Sequence, residues 1–281
     1  FANLFPETVK PLHRHIAVLT GMLVLVTAAW GQMLPVKQGR LWGIIDGTGK
    51  MIAPARYDAV ARIMDRQAVV VLGGKYGLLD SAGNTLISPE FTFLNCITND
   101  VILTNQGGEC TDGNCEGGKW GIMNRLLDRN IPPTFQLIAG FNQRGHARVN
   151  VGGKCGYEDC AGGKWGIVDT TATELLPAQF EEITYGLGSE VYVRGDKGWG
   201  LYDLASAKMI IQPKYEKLER VSPTHIAMRS GKLWGLLNNQ GRQLVEPLYD
   251  GFKDAGLAYI SYQNGPFWGL MDSTGRILCK P

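Results

Sequence analysis

The chain has 281 residues, and 37 of them are glycine, against a usual share of about 7%. Its 28 lysine and arginine residues balance 26 aspartate and glutamate residues, which leaves a formal net charge of +2. This balance argues against a nucleic-acid binder with a basic face. The abundance of glycine disfavours a helical bundle and favours turn-rich β structure.

The first 31 residues have the layout of a secretory signal peptide. A basic stretch with Lys10 and Arg14 precedes an apolar run from Ile16 to Trp30, and small residues close the run. The run is short for a membrane span, which needs about 20 apolar residues, and an uncleaved anchor is the alternative. We expect a signal-peptide helix in residues 1–31 and the folded domain in residues 32–281, either secreted or held in the periplasm or cell envelope.

An aromatic residue followed by glycine recurs seven times in the chain. The steps between the aromatic residues are 34, 44, 45, 34, 35 and 34 residues. The seven aromatic residues are Trp42, Tyr76, Trp120, Trp165, Trp199, Trp234 and Trp268. An aspartate or asparagine follows each of them by four residues, and in six repeats a tyrosine or phenylalanine follows by 15 or 16. Such a period predicts a repeat protein in which each unit packs on its neighbours.

This pattern resembles the WG-repeat family of bacterial β-repeat proteins. Lys-Trp-Gly-Ile at 119–122 and at 164–167 matches the family closely, whereas Tyr76 replaces tryptophan in the second repeat. The resemblance covers residues 33–281. It implies a non-enzymatic repeat protein without an established common ligand, and it transfers no catalytic residue to this chain.

The residues around each aromatic-glycine pair predict a central strand. Two apolar residues follow the glycine in every repeat, as Ile167 and Val168 follow Gly166, which indicates a strand buried on both faces. The glycine leaves room for a close neighbour, which we expect to be the aromatic ring of the next repeat. The aspartate or asparagine is expected to cap the following turn. The proline before the tyrosine or phenylalanine is expected to end a strand, and that aromatic ring is expected to open a separate segment.

The sequence therefore predicts an all-β repeat protein of seven antiparallel β-meanders of about 34 residues and four strands each. The repeats that begin at Trp42 and Trp268 are as apolar as the interior ones, and Met33–Lys37 supplies a separate opening strand. Because ring closure hides sheet edges, these features favour a seven-bladed β-propeller. An open β-solenoid is the alternative, and it would need polar capping repeats.

Two matched insertions explain the long steps of 44 and 45 residues. Each insertion contains two cysteines separated by four residues, Cys110 with Cys115 and Cys155 with Cys160. Cysteines that face each other across a hairpin suit a disulfide, and export supplies an oxidising compartment. The alternatives are one four-cysteine zinc site and, more weakly, a calcium site. Cys96 and Cys279 have no repeat equivalent, and we expect each to be a small buried residue.

No catalytic constellation is evident in the sequence. His146 and His225 are the only histidines after residue 31, and neither has a neighbouring nucleophile motif. The acidic residues outside the repeat pattern are expected on a solvated face: Glu181, Glu182, Glu190 and Asp196. No glycine-rich phosphate loop is present. We therefore expect no catalytic residue, cofactor or metal.

The two insertions are the predicted contact surface, since insertions in repeat proteins often lie on the binding face. Residues 107–117 and 152–162 are expected side by side. The candidate binding residues are Asp112, Asn114, Tyr157, Glu158, Asp159 and Tyr185. The last of these is expected as an exposed ring in the glycine-flanked loop 184–188. The expected partner is a protein or glycan at the bacterial envelope, not a nucleic acid, with membrane contact only through an uncleaved signal segment. A propeller enzyme that hydrolyses glycans is the rival hypothesis.

Overall fold

The computed structural model describes residues 32–64, 66–97, 101–111, 114–156 and 159–281. The expected signal peptide, residues 1–31, lies outside these ranges. Within them every regular element is a β-strand, which confirms the predicted all-β fold. No helix in the described part of the chain is long and apolar enough to cross a membrane.

The strands form seven antiparallel sheets and two small hairpins. Sheet 1 contains β1 (Met33–Gln38), β2 (Leu41–Asp46) and β3 (Met51–Tyr57). Sheet 2 contains β4 (Ala59–Met64), β5 (Gln67–Leu72), β6 (Lys75–Asp80) and β7 (Thr85–Phe91). Sheet 3 contains β8 (Phe93–Cys96), β9 (Val101–Gln106), β12 (Lys119–Asn124) and β13 (Asn130–Phe135), and its hairpin is β10 (Glu109–Thr111) with β11 (Asn114–Glu116).

Sheets 4 to 7 repeat this four-stranded meander. Sheet 4 contains β14 (Leu137–Ile138), β15 (His146–Val151), β18 (Lys164–Asp169) and β19 (Glu174–Phe180), and its hairpin is β16 (Lys154–Cys155) with β17 (Cys160–Ala161). Sheet 5 contains β20 (Glu182–Tyr185), β21 (Glu190–Gly195), β22 (Gly198–Asp203) and β23 (Lys208–Tyr215). Sheet 6 contains β24 (Lys217–Ser222), β25 (His225–Ser230), β26 (Leu233–Asn238) and β27 (Gln243–Tyr249). Sheet 7 contains β28 (Gly251–Gly256), β29 (Tyr259–Asn264), β30 (Phe267–Met271) and β31 (Ile277–Cys279).

The aromatic-glycine strand is the third strand of each four-stranded sheet, and each sequence repeat is shared between two sheets. In sheet 4 the aromatic Phe180 ends the fourth strand opposite Trp165. One residue, Glu181, then leads into the first strand of sheet 5, and its backbone N–H donates to Arg194 O at 2.8 Å. The ring therefore closes one sheet, whereas the sequence predicted that it opens a separate segment.

The proline before each of these rings lies inside a strand, not at its end. Pro54 falls within β3, where the pairing with β2 shifts register between Trp42 and Ile44. A bulge leaves a residue outside the hydrogen-bonded ladder, so proline is tolerated there without a lost bond. The fourth strand consequently runs through the proline to the aromatic ring.

The glycine after the aromatic residue permits a close approach, as predicted, but by different atoms. A Cβ built on Gly166 would lie 2.5 Å from Leu176 O and 2.7 Å from Ala178 N, both in the fourth strand of the same sheet. The prediction that the aromatic ring of the next repeat lies over the glycine is therefore wrong. The backbone of the fourth strand lies close to the glycine where the pairing of the two strands shifts register, because a bulge bends the strand that contains it.

Six hydrophobic clusters fill the six junctions between consecutive sheets. The first apolar residue after the glycine faces the next sheet and is fully buried in six repeats: Ile44, Leu78, Ile122, Ile167, Leu201 and Leu236. The second apolar residue packs on the preceding sheet, as Leu79 packs with Ile44 between sheets 2 and 1. The predicted burial on both faces is thus confirmed for the interior sheets.

The six clusters join each sheet to the next, and among the described residues none joins sheet 7 to sheet 1. Strand β1 pairs with β2 in its own sheet. The buried contacts therefore run along a row of seven sheets, each packed on the next. Apolar residues at the two ends are exposed, Leu34 in sheet 1 and Trp268 in sheet 7.

The aspartate or asparagine four residues after each aromatic residue caps the turn, as predicted. In all seven repeats its side-chain oxygen accepts a backbone N–H from the turn. In the first repeat, Asp46 Oδ1 accepts from Thr48 N at 2.9 Å and from Lys50 N at 3.0 Å. Each cap satisfies turn N–H groups that would otherwise lack a protein partner.

We expect these caps to make stability fall at acid pH. Hydrogen bonds from the hydroxyls of Thr48 and Thr274 lower the pKa of Asp46 and Asp272 below the ordinary value of 3.8. A carboxyl whose pKa is lower in the folded state stabilises the fold above 3.8, and this contribution is lost as the pH falls through the folded pKa. Thermal melting between pH 6 and pH 2.5 measures the loss.

The matched variant is Asp272→Asn, which keeps an acceptor but does not titrate, as Asn124 and Asn238 do in their own turns. We expect its melting temperature to fall less steeply with acid than that of the parent chain. An identical pH profile would contradict this origin of the acid sensitivity.

Candidate functional site

Two disulfide-bonded hairpins project from the turn between the second and third strands of sheets 3 and 4. Cys110 bonds to Cys115 and Cys155 to Cys160, and the paired Cα atoms are 4.0 and 3.9 Å apart. In each hairpin the two cysteines are directly opposite in the antiparallel ladder. The predicted pairings are those of the structure, and no cluster that could hold a metal ion occurs among the described residues.

A buried asparagine anchors each hairpin to its sheet. Asn150 is fully buried; its Oδ1 accepts Gly153 N–H at 3.0 Å, and its Nδ2 donates to Gly162 O at 3.2 Å. Asn105 makes the same pair of bonds, at 3.1 Å to Gly108 N and 3.3 Å to Gly117 O. Because one amide bridges both stems, it fixes the direction in which the hairpin leaves the sheet.

Sequence reasoning missed these two asparagines, although a signal was present. Each lies directly opposite the tryptophan of its sheet. The residue at this position in the other five repeats is Lys37, Val71, Arg194, Arg229 or Gln263. Asparagine therefore occurs only in the two repeats that carry a hairpin.

Replacing Asn150 with valine is expected to destabilise the protein by about 1–3 kcal/mol, because the Gly153 N–H and the Gly162 carbonyl would lose their partner in a buried place. Denaturant unfolding measures the change. Lys37→Val is the matched control, since Lys37 holds the same position in sheet 1 and is exposed. Equal effects of the two substitutions would contradict the anchoring role.

Two clefts lie beside the hairpins, and they are repeat equivalents. One has a volume of about 380 Å³ and the other of about 570 Å³. Seven lining residues of the first lie 45 positions before seven of the second. In the first cleft they are Cys115, Gly117, Gly118, Trp120, Gln136, Leu137 and Ile138; in the second they are Cys160, Gly162, Gly163, Trp165, Glu181, Glu182 and Ile183.

The smaller cleft lies between the two hairpins. One wall carries Cys115 of the first hairpin, and the other is formed by residues 153–156 of the second. Trp120, Leu137 and Ile138 line it from the sheets. The two hairpins are thus neighbours, as predicted, and they enclose a glycine-lined space with both apolar and polar walls.

The larger cleft is charged. Lys164, Arg148 and Arg194 line it together with Glu181 and Glu182. Arg194 Nε lies 3.3 Å from Glu182 Oε2 and 3.8 Å from Glu181 Oε2. Two carboxylates occupy the positions held by glutamine and leucine in the smaller cleft, so the two clefts offer different chemistry on one scaffold.

Arg148 covers the tryptophan of the larger cleft. Its guanidinium carbon is 5.0 Å from the centroid of the Trp165 ring, and its Nη1 is 3.4 Å from Ile183 O. Trp165 is only 5% exposed. The ring is therefore part of the core beneath the cleft, and it offers no open face on which a sugar could stack.

The structure places the predicted binding residues unequally. Asp112, Tyr157 and Glu158 lie outside the described residues, and Asn114 is described only as the first residue of β11. Asp159 is exposed and lines the larger cleft. Of the six candidates, Asp159 is thus the one that the described structure puts at a cleft wall.

Tyr185 was expected as an exposed ring on a loop, and this is wrong. It ends strand β20, is half-buried and packs against the cluster between sheets 4 and 5. Burial raises the pKa of its phenol to about 12, which the nearby Arg148 partly opposes. Glycines at 186 and 188 suggested a loop, but strand pairing with Val191 carries the ring inward.

His225 is held by structural hydrogen bonds at the junction of sheets 6 and 7. It is 2% exposed. Its Nε2 lies 2.9 Å from Ser273 O, and because a carbonyl only accepts, Nε2 donates. Its Nδ1 lies 3.0 Å from Ser222 Oγ and 3.0 Å from Thr224 Oγ1. His146 is half-buried in β15, and this burial lowers its pKa.

The two cysteines outside the hairpins differ in environment. Cys96 is buried, as predicted, and burial raises the pKa of its thiol. Cys279 is exposed, so the expectation of burial is wrong for it. Its strand, β31, has no following sheet to cover it among the described residues.

The comparisons with known proteins identify the repeats. The family model described as "WG containing repeat" matches residues 42–65, 76–110, 120–155, 199–222 and 234–255, which together make up half of the chain. These segments begin at five of the seven aromatic residues, Tyr76 included. No curated protein matches the chain.

Solved structures resemble the chain only distantly. A eukaryotic initiation factor matches with 10% identity and a TM-score of 0.32, over 88% of this chain and 72% of its own. The dihydro-heme d1 dehydrogenase NirN matches with 12% identity and a TM-score of 0.29, over 88% of this chain and 62% of its own. An extracellular domain from B. thetaiotaomicron, assigned to a one-component system, matches with 8% identity and a TM-score of 0.29, over 89% of this chain and 40% of its own. None of these likenesses carries a functional argument.

Proposed function

The chain belongs to the WG-repeat family, and from this premise we propose that it is an exported, non-catalytic scaffold that binds a protein or glycan at the bacterial cell envelope. The binding surface of this proposal is the hairpin face, which consists of the two disulfide hairpins and the two clefts beside them. The observation that carries the proposal is the duplication of this cleft at an offset of 45 residues, in the two adjacent repeats with insertions.

The geometry of the hairpin face supports a binding role. The disulfides and the buried asparagines hold the described stems of both hairpins in fixed positions, so little ordering cost for these stems accompanies binding. The smaller cleft offers apolar side chains beside one amide and one ammonium group, and the larger cleft offers carboxylates and guanidinium groups. A ligand that spans both clefts would be recognised by two different chemistries.

The disulfides support export. Each joins cysteines only five residues apart on a projecting hairpin. Disulfides persist in the periplasm and outside the cell, and they are rare in the reducing cytosol. A secreted or envelope location therefore agrees with both the disulfides and the layout of residues 1–31.

The environment of the ionisable groups supports the absence of catalysis. Arg194 pairs with both Glu181 and Glu182 in the larger cleft, so neither carboxylate stands free for acid–base chemistry on a glycosidic bond. His225 has both ring nitrogens engaged. The environments of these three side chains thus give no support to the rival glycan hydrolase.

The test is removal of the hairpins. Residues 107–118 and 152–163 can each be replaced by a Gly-Lys turn, since Gly231 and Lys232 make the equivalent connection in sheet 6. The parent chain, kept under non-reducing conditions, is first used to capture envelope proteins and to probe a glycan array. We expect binding of the ligand so identified to fall by roughly tenfold or more in the double deletion, as the hairpins form walls of both clefts.

The matched control is Arg40→Lys, which makes the sheet 1 turn Gly-Lys and leaves both hairpins and both clefts in place. Unchanged affinity in the double deletion, with a melting temperature like that of the parent, would contradict the assigned surface. Hydrolysis of any arrayed glycan by the parent chain would contradict the non-catalytic role.

A further inference from the structure

The two ends of the row of sheets expose residues that are buried everywhere else in the repeat. The second apolar residue after the glycine has a partner directly opposite it in the preceding strand of the same sheet. In sheets 2 to 7 this partner is at most 1% exposed: Ala68, Ile102, Ala147, Val191, Ile226 and Ile260. The same position in sheet 1 holds Leu34, which is 45% exposed. We call Leu34, Val36 and Ile45 the leading face.

The other end shows the complementary exposure. Leu270 in sheet 7 is half-buried, although the equivalent residue is fully buried in the other six sheets. Its fourth-strand partner, Cys279, is exposed, whereas the equivalent Ala53 in sheet 1 is fully buried. Trp268 is 39% exposed. We call Trp268, Leu270 and Cys279 the trailing face.

These two faces are the two halves of a contact that the chain already makes six times. At every junction the trailing side of one sheet packs on the leading side of the next. Between sheets 1 and 2, for example, Ile44 and Ala53 pack with Ala68 and Val70. Contiguous exposed apolar surface on a soluble protein marks an interaction site. The packing within the repeats therefore indicates that the trailing face is complementary to a leading face, and the leading face to a trailing face.

We propose that the trailing face binds the leading face of a second copy of this chain, head to tail. The contact continues the established junction between sheets, with Leu270 in the place of Ile44 and Leu34 in the place of Ala68. Such a contact is heterologous, because different surfaces meet, so it propagates into longer assemblies unless its rotation closes a ring. It is separate from the hairpin face and does not depend on the proposed function.

Cys279 makes the proposal testable by cross-linking. By repeat equivalence Cys279 and residue 34 hold the places of Ala53 and Ala68, which belong to one cluster. In the full chain with Leu34→Cys, mild oxidation is therefore expected to join residue 34 of one copy to Cys279 of another. Non-reducing electrophoresis should show a ladder of dimers and longer species. The same variant with Cys279→Ser should form no cross-link and should run as a single chain on the same gel.

Leu126→Cys is the matched control, since Leu126 is 82% exposed and lies on neither end face. The proposal is overturned by equal ladders from this control, by no cross-link in Leu34→Cys, or by a link within one chain. A link within one chain would show that the two end faces of one molecule meet. The absence of any cross-link is the result expected if residues 1–31 cover residue 34.

A second measurement uses no added cysteine. Light scattering on the parent chain is expected to show a mass that rises with concentration. Leu270→Lys should weaken this association roughly tenfold or more, because the contact would bury an unpaired ammonium group. The melting temperature of the dilute variant should stay unchanged, since Leu270 is already partly exposed. A parent chain that stays monomeric at all concentrations would overturn the proposal.

Discussion

Replacing Gly166 with valine is expected to destabilise the protein by about 1–3 kcal/mol, with a larger loss if the strand cannot shift. A Cβ at this position would lie 2.5 Å from Leu176 O, 2.7 Å from Ala178 N and 2.9 Å from Ala178 Cα. All three are backbone atoms of the adjacent strand, so the clash cannot be relieved by the rotation of a side chain. The register shift that brings this backbone close also positions the proline and Phe180. Denaturant unfolding followed by tryptophan fluorescence measures the loss.

Gly140→Val is the matched control for this substitution. A Cβ on Gly140 would have no atom within 4 Å, and the residue is exposed. We expect its unfolding free energy to stay within about 0.5 kcal/mol of the parent value. If Gly166→Val unfolded at the same denaturant concentration as Gly140→Val, the close approach of the strands would be contradicted.

Truncating Leu201 to alanine is expected to cost about 2–5 kcal/mol, the usual range for a fully buried leucine. Leu201 is fully buried and packs with Ile226 and Leu237 across the junction between sheets 5 and 6. The substitution leaves a cavity that the hydrogen-bonded strands on either side can close only in part. Equilibrium unfolding at low protein concentration measures the change.

Leu270→Ala is the control with the same residue type at the same position of the repeat. Leu270 is half-buried because no further sheet covers it among the described residues. Its truncation should cost distinctly less than that of Leu201. Equal losses would mean that sheet 7 is covered in the same way as sheet 5, which contradicts the exposed end of the row.

The repeat fold could be predicted because its signals are local. The strand containing Trp42 and the capped turn at Asp46 follow from residue types at fixed spacing. The phase of the sheets could not be predicted, because a proline such as Pro54 can either end a strand or lie in a bulge. The choice depends on the pairing with β2, which is a contact outside the local sequence.

The ends of the row were also beyond local reasoning. The apolar residues of the terminal repeats favoured a closed ring, because a ring would bury the apolar faces and the sheet edges at both ends. In the structure Leu34 and Trp268 are exposed. The sequence shows that the end faces are apolar, but it does not show what covers them. Whether two such faces meet in one molecule depends on the small rotation between neighbouring sheets.

The candidate site was predicted in its position but only partly in its residues. The spacing of Cys155 and Cys160 indicated the disulfide and the hairpin. The clefts arise from Trp165, Arg148 and the first strand of sheet 5, which are distant in sequence from the hairpin tip. Tyr185 was misplaced because strand pairing, not its glycine neighbours, decides its orientation.

Hydrogen exchange of the backbone amides tests the packed row of sheets most directly. Each aromatic-glycine strand lies between two hydrogen-bonded neighbours within its sheet, and in sheets 1 to 6 it also lies beneath the cluster shared with the next sheet. We expect peptides that cover β2, β6, β12, β18, β22 and β26 to exchange slowly and together, and β30 to exchange faster. Rapid exchange in β2, β6, β12, β18, β22 and β26, or the slowest exchange in β30, would contradict the account.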